Sequence, residues 1–238
     1  MGRAPICEQL GLDSVDDGAE SSNVQALGLR KNLKWKNGST LTVAFVGTLA
    51  TSRKMSWARK LVRKYAHTWS KYANIRFTFR VKRPQNATIR ICFTREGNSS
   101  SQVGTNCRKV RQGPTMRIRI RSTSKRYFLR QSALHEFGHV LGLIHEHQHP
   151  GRRIEWNKKA VQRAYPHWSK KKVRKNIFDH YEPGEVDASD FDANSIMMYE
   201  IRSEWTHGKF STKRKSHLSP GDKSAIREMY PPKKKATI

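Results

Sequence analysis

The sequence predicts an α+β fold on three observations. A β-rich run precedes a long amphipathic helix; alternating strands follow it; and a second apolar helix then gives way to a long stretch with little periodicity. The 238-residue chain is 36% hydrophobic, enough for one sizeable core.

Taken in order, Asn37-Gly38 reads as a turn ahead of a strand over Leu41–Gly47. Ala58, Leu61, Val62, Tyr65, Trp69 and Tyr72 recur at steps of three and four, so they form one buried stripe of a helix whose other side carries Arg59, Lys60, Arg63 and Lys64. Strands are expected over Ile75–Val81, Ala87–Phe93 and Met116–Arg121, the last with its arginines turned to solvent by alternation. A second long helix is expected from about Phe128 through Leu141. After Pro150 only short helical pieces are signalled, near 157–165 and 170–176, followed by an acidic loop. Ser219-Pro-Gly-Asp222 then supplies an N-cap, a first-turn proline and a capping-box acid for a terminal helix that Pro231-Pro232 stops. Residues 1–30 are polar and aperiodic and read as a leader or short pro-segment. Residues 31–232 read as the folded domain, with an upper lobe to about 145 and a lower lobe from about 146, and 233–238 as a basic tail.

Charge is distributed unevenly. Residues 1–28 set Arg3 against Glu8, Asp13, Asp16, Asp17 and Glu20, a net of −4, so residues 29–238 carry +32 for the chain to total +28. Such a field attracts polyanions but does not specify a fold. Three cysteines cannot pair completely, which excludes a disulfide scaffold; two readings stand, one in which Cys92 and Cys107 bridge one loop under oxidising conditions with Cys7 free, and one in which all three are reduced. No apolar run of 18 residues exists, which excludes a helical membrane span, and the first residues show no apolar segment of a signal peptide. The acidic stretch of Asp179, Glu182, Glu185, Asp187, Asp190 and Asp192 lacks the fixed spacing of a calcium loop and is read as pairing with nearby Lys and Arg.

The most specific pattern is His135-Glu136-x-x-His139-x-x-Gly142-x-x-His145. Residues four apart share a helix face, so His135 and His139 can aim at one ion. Continued as helix, His145 would lie about 9 Å further along the axis, so the helix must end first. Gly142 sits where that reversal is needed, because a residue without Cβ takes the left-handed conformation without strain. Three imidazoles suit Zn2+ and leave a fourth position open, the catalytic rather than the structural arrangement. Glu136 lies beside the first ligand without being one, placed to take a proton from an attacking water. His147 and His149 are read as solvated or cleft-lining.

In these residues the chain resembles the metzincin clan of zinc endopeptidases and, within it, the astacin-like family. Glu146 directly after the third histidine is astacin-like, and Ser195-Ile-Met-Met-Tyr199 is similar to the family's methionine turn. Trp35-Lys-Asn-Gly, Trp69-Ser-Lys-Tyr-Ala-Asn and Leu218-Ser-Pro-Gly-Asp extend the likeness from about Leu33 to Pro231. The resemblance implies a metzincin-like domain with a twisted, mostly parallel sheet and two long helices in its N-terminal lobe, and an irregular C-terminal lobe with a terminal helix. It further implies zinc held by His135, His139 and His145, Glu136 as catalytic base, Met197 as a hydrophobic floor under the histidines, and Tyr199 reaching the metal or the oxyanion. An edge strand would bind substrate antiparallel, and Ser101–Thr105 matches it. Glu146 would tie down a processed N-terminus.

The expected function is zinc-dependent hydrolysis of internal peptide bonds in protein or peptide substrates, acidic ones if basic residues flank the cleft, by a monomer. Secretion is implied by the family but unsupported by any visible signal peptide. The alternative left open is a basic protein that binds nucleic acid or anionic surfaces and carries a non-catalytic zinc site.

Overall fold

The structure, a computed structural model, describes residues 8–9, 33–120, 126–151, 153–182 and 190–232. The leader expected over 1–30 lies outside the described residues apart from Glu8–Gln9, and so does the tail at 233–238.

Among the described residues six strands make one sheet: β1 (Glu8–Gln9), β2 (Thr40–Phe45), β3 (Arg76–Thr78), β4 (Ile89–Thr94), β5 (Ser100–Ser101) and β6 (Met116–Arg119), in the order β1-β5-β6-β4-β2-β3. The pairs β2–β3, β2–β4, β4–β6 and β1–β5 are parallel; β5–β6 is antiparallel. The mostly parallel sheet expected of the fold is present. In β6 the alternation holds, with Met116 and Ile118 buried and Arg117 exposed.

Two of the expected strands are cut short, the hydrophobic run Ile75–Val81 and the edge strand that the resemblance implied over Ser101–Thr105. Pairing in the third stops at Thr78, so Phe79 to Val81 continue outside the sheet, where Phe79 stacks on Phe45 with ring centroids 5.9 Å apart. Only Ser101 of the expected edge strand Ser101–Thr105 is in β5; the chain passes into a 3-10 helix over Gly104–Lys109. Cys92 and Cys107 are both free thiols, and burial pushes the Cys107 thiol up to about 12.

After the short helix α1 (Thr48–Thr51), the long helices α2 (Ser56–Trp69) and α3 (Arg126–Val140) cover the sheet. Of the stripe expected on α2, Ala58, Val62, Tyr65 and Trp69 are buried, Leu61 is partly buried against the core, and Tyr72, also partly buried, lies past the helix end. The second half of α3 is different. Ala133 through Val140 are buried without a break, so this helix end is enclosed on every side rather than lying on a surface.

An enclosed helix end must find partners for its last carbonyls. Here they come from distant parts of the chain. The Trp35 indole donates to Val140 O at 2.7 Å, and the Tyr230 hydroxyl donates to Leu141 O at 2.8 Å while accepting from Trp35 N at 3.1 Å. Further back along α3, the Trp69 indole also donates to the carbonyl of Leu134, at 2.9 Å. Residues from both ends of the domain thus close on α3.

The lower part contains α4 (Lys158–Ala164), capped by Asn157, and α5 (Lys170–Val173), capped by Ser169, which runs into a π-type turn at Arg174–Phe178. These pack around a second cluster with Val161, Tyr165, Val173, Met198, Tyr199 and Trp205. The terminal helix α6 (Pro220–Met229) has the capping box read from the sequence, and its Ile226 and Met229 return to the main core.

Replacing Tyr230 with Phe keeps the ring but leaves Trp35 N–H and Leu141 C=O buried without this partner. Tyr230→Phe is therefore expected to lower stability by about 1–3 kcal/mol in urea unfolding. A wild-type midpoint would contradict the role given to the phenol.

Candidate metal centre

The end of α3 shows how the third histidine is delivered. Gly142 has φ +100°, its N–H donates to His139 O at 2.8 Å, and Leu143 N–H reaches back to Gly138 O at 3.0 Å. This is the Schellman ending, with glycine at the position that requires positive φ. It reverses the chain and at once uses the reversed segment: Leu143 O pairs with His139 Nδ1 at 2.8 Å.

His135, His139 and His145 converge as the spacing predicts, with one nitrogen of each lying within 4.8 Å of the others, and all three are buried. The rings of His139 and His145 are nearly perpendicular, 4.6 Å between centroids. Their Nε2 atoms lie 3.1 Å apart. Two imidazoles sharing a tetrahedral ion at 2.0–2.1 Å would hold these atoms about 3.4 Å apart, so the observed spacing is close to a ligand pair.

Each ring's chemistry fits. His135 Nδ1 pairs with Ile196 O at 2.8 Å, which makes Nδ1 the protonated nitrogen and leaves the Nε2 lone pair facing inward. His135 Nε2 is buried and has no hydrogen-bond partner among the described residues. Burial, the largest cause in each case, holds His135 down to about 4, His139 to about 3 and His145 well below its ordinary value. Neutral imidazoles whose buried lone pairs converge can hold a metal ion, and zinc suits three of them. Among the described residues this is the one group of three or more side chains assembled to hold an ion. Asp179 and Glu182 of the acidic stretch instead pair with Arg174 at 3.1 Å and Arg153 at 3.4 Å; Glu185 and Asp187 lie outside the described residues.

The other candidate residues gather around the histidines. Glu136 is 1% exposed. Met197 lies against α3 where Gly138 leaves room: a Cβ there would come within 2.4 Å of its sulfur. Tyr199 has its ring centroid 4.3 Å from that of His145. Glu146 donates its N–H to Met197 O at 3.1 Å and accepts from Asp192 N at 2.8 Å, and burial raises its carboxyl to about 7.

Of the two readings of His147 and His149, solvated or cleft-lining, the solvated one is overturned. His147 is 2% exposed, stacked on Tyr199 at 4.2 Å and 21°, with Nε2 on Asn176 O at 3.0 Å. His149 is also buried, its Nδ1 accepting from Gly151 N at 2.9 Å. The 3-10 turn Glu146–Gln148 tucks both rings under the lower cluster, which no local pattern announces.

Sequence reasoning also missed the setting of Asp222. Besides capping α6, it accepts from the Ser195 hydroxyl at 2.7 Å and from Ile196 N at 2.8 Å. Only the capping spacing was available to find it.

A mostly parallel sheet backed by two helices, the second of which carries two neutral imidazoles that converge with a third just past its glycine ending, describes a metallopeptidase domain. A family model described as Astacin, a peptidase family, matches residues 30–230, and the chain belongs to that family. Two solved structures of myroilysin are similar to it. One is 36% identical, covering 86% of this chain and 98% of that one, with a TM-score of 0.79. The other is 32% identical, covering 96% and 92%, with a TM-score of 0.68. High choriolytic enzyme 1, a hatching-enzyme zinc protease from the medaka fish Oryzias latipes, is 17% identical over 84% of this chain and 94% of that one, with a TM-score of 0.55, a likeness of fold. No curated protein sequence matches at a significant level. The protein is thus a zinc metalloendopeptidase whose His135, His139 and His145 could hold the zinc, rather than the basic binding protein kept as the alternative.

The buried imidazoles make the metal-free protein acid-sensitive. With folded values at about 4 for His135, about 3 for His139, well depressed for His145 and about 3 for His147, the unfolded chain binds more protons below pH 6.5. That stability is complete above 6.5 and is lost as pH falls toward the folded values. Glu146, raised from 4.5 to about 7, acts in the opposite direction over that interval, one group against four. The urea midpoint of chelator-treated protein is expected to fall between pH 7.5 and 5.5; a constant or rising midpoint would contradict the neutral, buried imidazoles.

Proposed function

We propose that the protein hydrolyses internal peptide bonds with Glu136 as general base and Tyr199 as the donor to the developing oxyanion. The observation that carries this reading is the convergence of three neutral imidazoles, two from α3 and one from the segment after its glycine ending, next to a buried glutamate of α3. Zinc held by His135, His139 and His145 supplies a Lewis acid that acidifies water and polarises the scissile carbonyl. The Glu136 carboxylate takes the proton of the attacking water and passes it to the leaving amine. The Tyr199 phenol, beside His145 and braced by His147, donates a hydrogen bond to the oxygen of the tetrahedral adduct. Met197 packs against α3 under this group, and Glu146 fixes the segment after His145 to the methionine turn.

All of these residues come from one chain, so a monomer suffices. Substrate would add as an extended strand along β5. Glu8–Gln9 pair with that same strand in parallel, so a substrate must displace them, in keeping with a leader that is removed or moved before turnover.

Purified protein is expected to cleave an unfolded protein, to lose activity to a chelator and to regain it with zinc. Glu136→Gln is expected to keep zinc and lose about 10²–10⁴-fold in kcat. Cleavage by that variant at the wild-type rate would remove Glu136 from the mechanism.

Acidic polypeptides are the favoured substrates in this reading. Residues 157–178 contain eight Lys or Arg and no Asp or Glu. Lys158, Lys159, Arg163, Lys170, Lys171, Arg174 and Lys175 are exposed. The same segment borders the site, since Asn176 O pairs with His147 and Lys175 O accepts from the Gln148 amide at 3.1 Å. A peptide with an acidic extension is expected to be cleaved with higher kcat/KM than its neutral counterpart at low salt, the two converging near 1 M salt as screening shortens to about 3 Å. Equal rates at low salt would contradict the acidic preference.

A further inference from the structure

Two of the three histidine-bearing segments hang on consecutive carbonyls of one short turn. His135 Nδ1 is held by Ile196 O at 2.8 Å, and the backbone just after His145 is held by Met197 O, which accepts from Glu146 N at 3.1 Å. Where these two carbonyls point depends on what fixes residues 195–197 from behind.

A single carboxylate does so. Asp222 Oδ2 accepts from Ile196 N at 2.8 Å and from Ser219 N at 2.9 Å, while Oδ1 accepts from the Ser195 hydroxyl at 2.7 Å. Ser195 Oγ in turn accepts from Met197 N at 2.9 Å. The N–H groups of both carbonyl-bearing residues, Ile196 and Met197, are therefore fixed by Asp222, one directly and one through Ser195. Asp222, Ser195 and Ile196 are all buried, so no water competes for these bonds.

We infer that Asp222 is a positioning residue of the metal centre, acting through the turn 195–197 to orient His135 and to seat the segment that carries His145. The capping of α6 is the lesser part of its work, and the helix is the rigid body that anchors the carboxylate. The carboxylate accepts from all three partners, and its charge strengthens each bond. An amide with its oxygen on Ile196 N and Ser219 N would lose that charge and would turn its N–H to Ser195 Oγ, which would then accept it beside Met197 N and no longer donate. This inference rests on the three-histidine reading of the metal site.

The test compares zinc affinity, by competition with a chromophoric chelator, and the visible spectrum of the Co2+-substituted protein across three variants. Asp222→Asn is expected to weaken zinc binding by about 10–100-fold and to alter the Co2+ bands, the usual scale for groups that orient ligands. Ser219→Ala removes the cap bond from Asp222 N, 2.9 Å in the native chain, and leaves Asp222 on the turn. It is expected to lower Tm with zinc affinity and Co2+ spectrum unchanged. Should Asp222→Asn fail to fold, Ser195→Ala cuts the relay to Met197 with the α6 cap intact and is expected to weaken zinc binding in its place. Wild-type affinity and spectrum in the folded Asp222→Asn variant, or in Ser195→Ala where that stands in for it, would overturn the inference. So would a loss of zinc affinity in Ser219→Ala as large as that in Asp222→Asn, since stability alone would then explain both. A wild-type protein that takes up no zinc at one equivalent would sink the three-histidine reading itself.

Discussion

The reversal of the chain at Gly142 is the constraint on which the site depends. A helix can present two histidines to one point but never the third six residues on. Ending α3 at this glycine brings His145 back to the end of the helix, and the reversed segment also supplies the Leu143 carbonyl that orients His139. An L side chain at φ +100° would strain the one peptide that joins the second ligand to the third.

That ending has to be enclosed, and its enclosure organises the rest of the domain. Water cannot satisfy the carbonyls of Val140 and Leu141, so Trp35 and Tyr230, near the two ends of the folded chain, close over them. The C-terminal helix is thus tied to the catalytic helix twice, through Tyr230 at its end and through Asp222 at its start, the latter by way of the methionine turn. A site built mostly on one helix and one turn inherits its rigidity from these long-range bonds.

Burial sets the electrostatics of the centre. The same desolvation that keeps the histidines neutral raises the carboxyl of Glu146 to about 7 and moves Asp222 up from its ordinary value, although Asp222 is steadied by three donors. A divalent cation among neutral imidazoles is therefore the charge that this interior is arranged to accept. Among the described residues most of the lysines and arginines lie on exposed faces, such as that of residues 157–178, where their charge remains hydrated.

The sequence by itself determined the α+β class, the buried stripe of α2, the capping box of α6 and the three-histidine convergence, because each is a local rule of spacing: period 3.6, a cap three residues from its partner, a glycine where positive φ is needed. It overstated the third strand, which ends at Thr78, because pairing length depends on a neighbour that a pattern of hydrophobic residues does not name, and the edge strand implied by the resemblance keeps only Ser101. Only the tertiary structure decided that His147 is buried against Tyr199, that Cys92 and Cys107 stay apart, and that the capping acid of the last helix also holds the turn beneath His135. Those outcomes rest on contacts between residues tens of positions apart, whose directions are fixed by packing and leave no periodic mark in the chain.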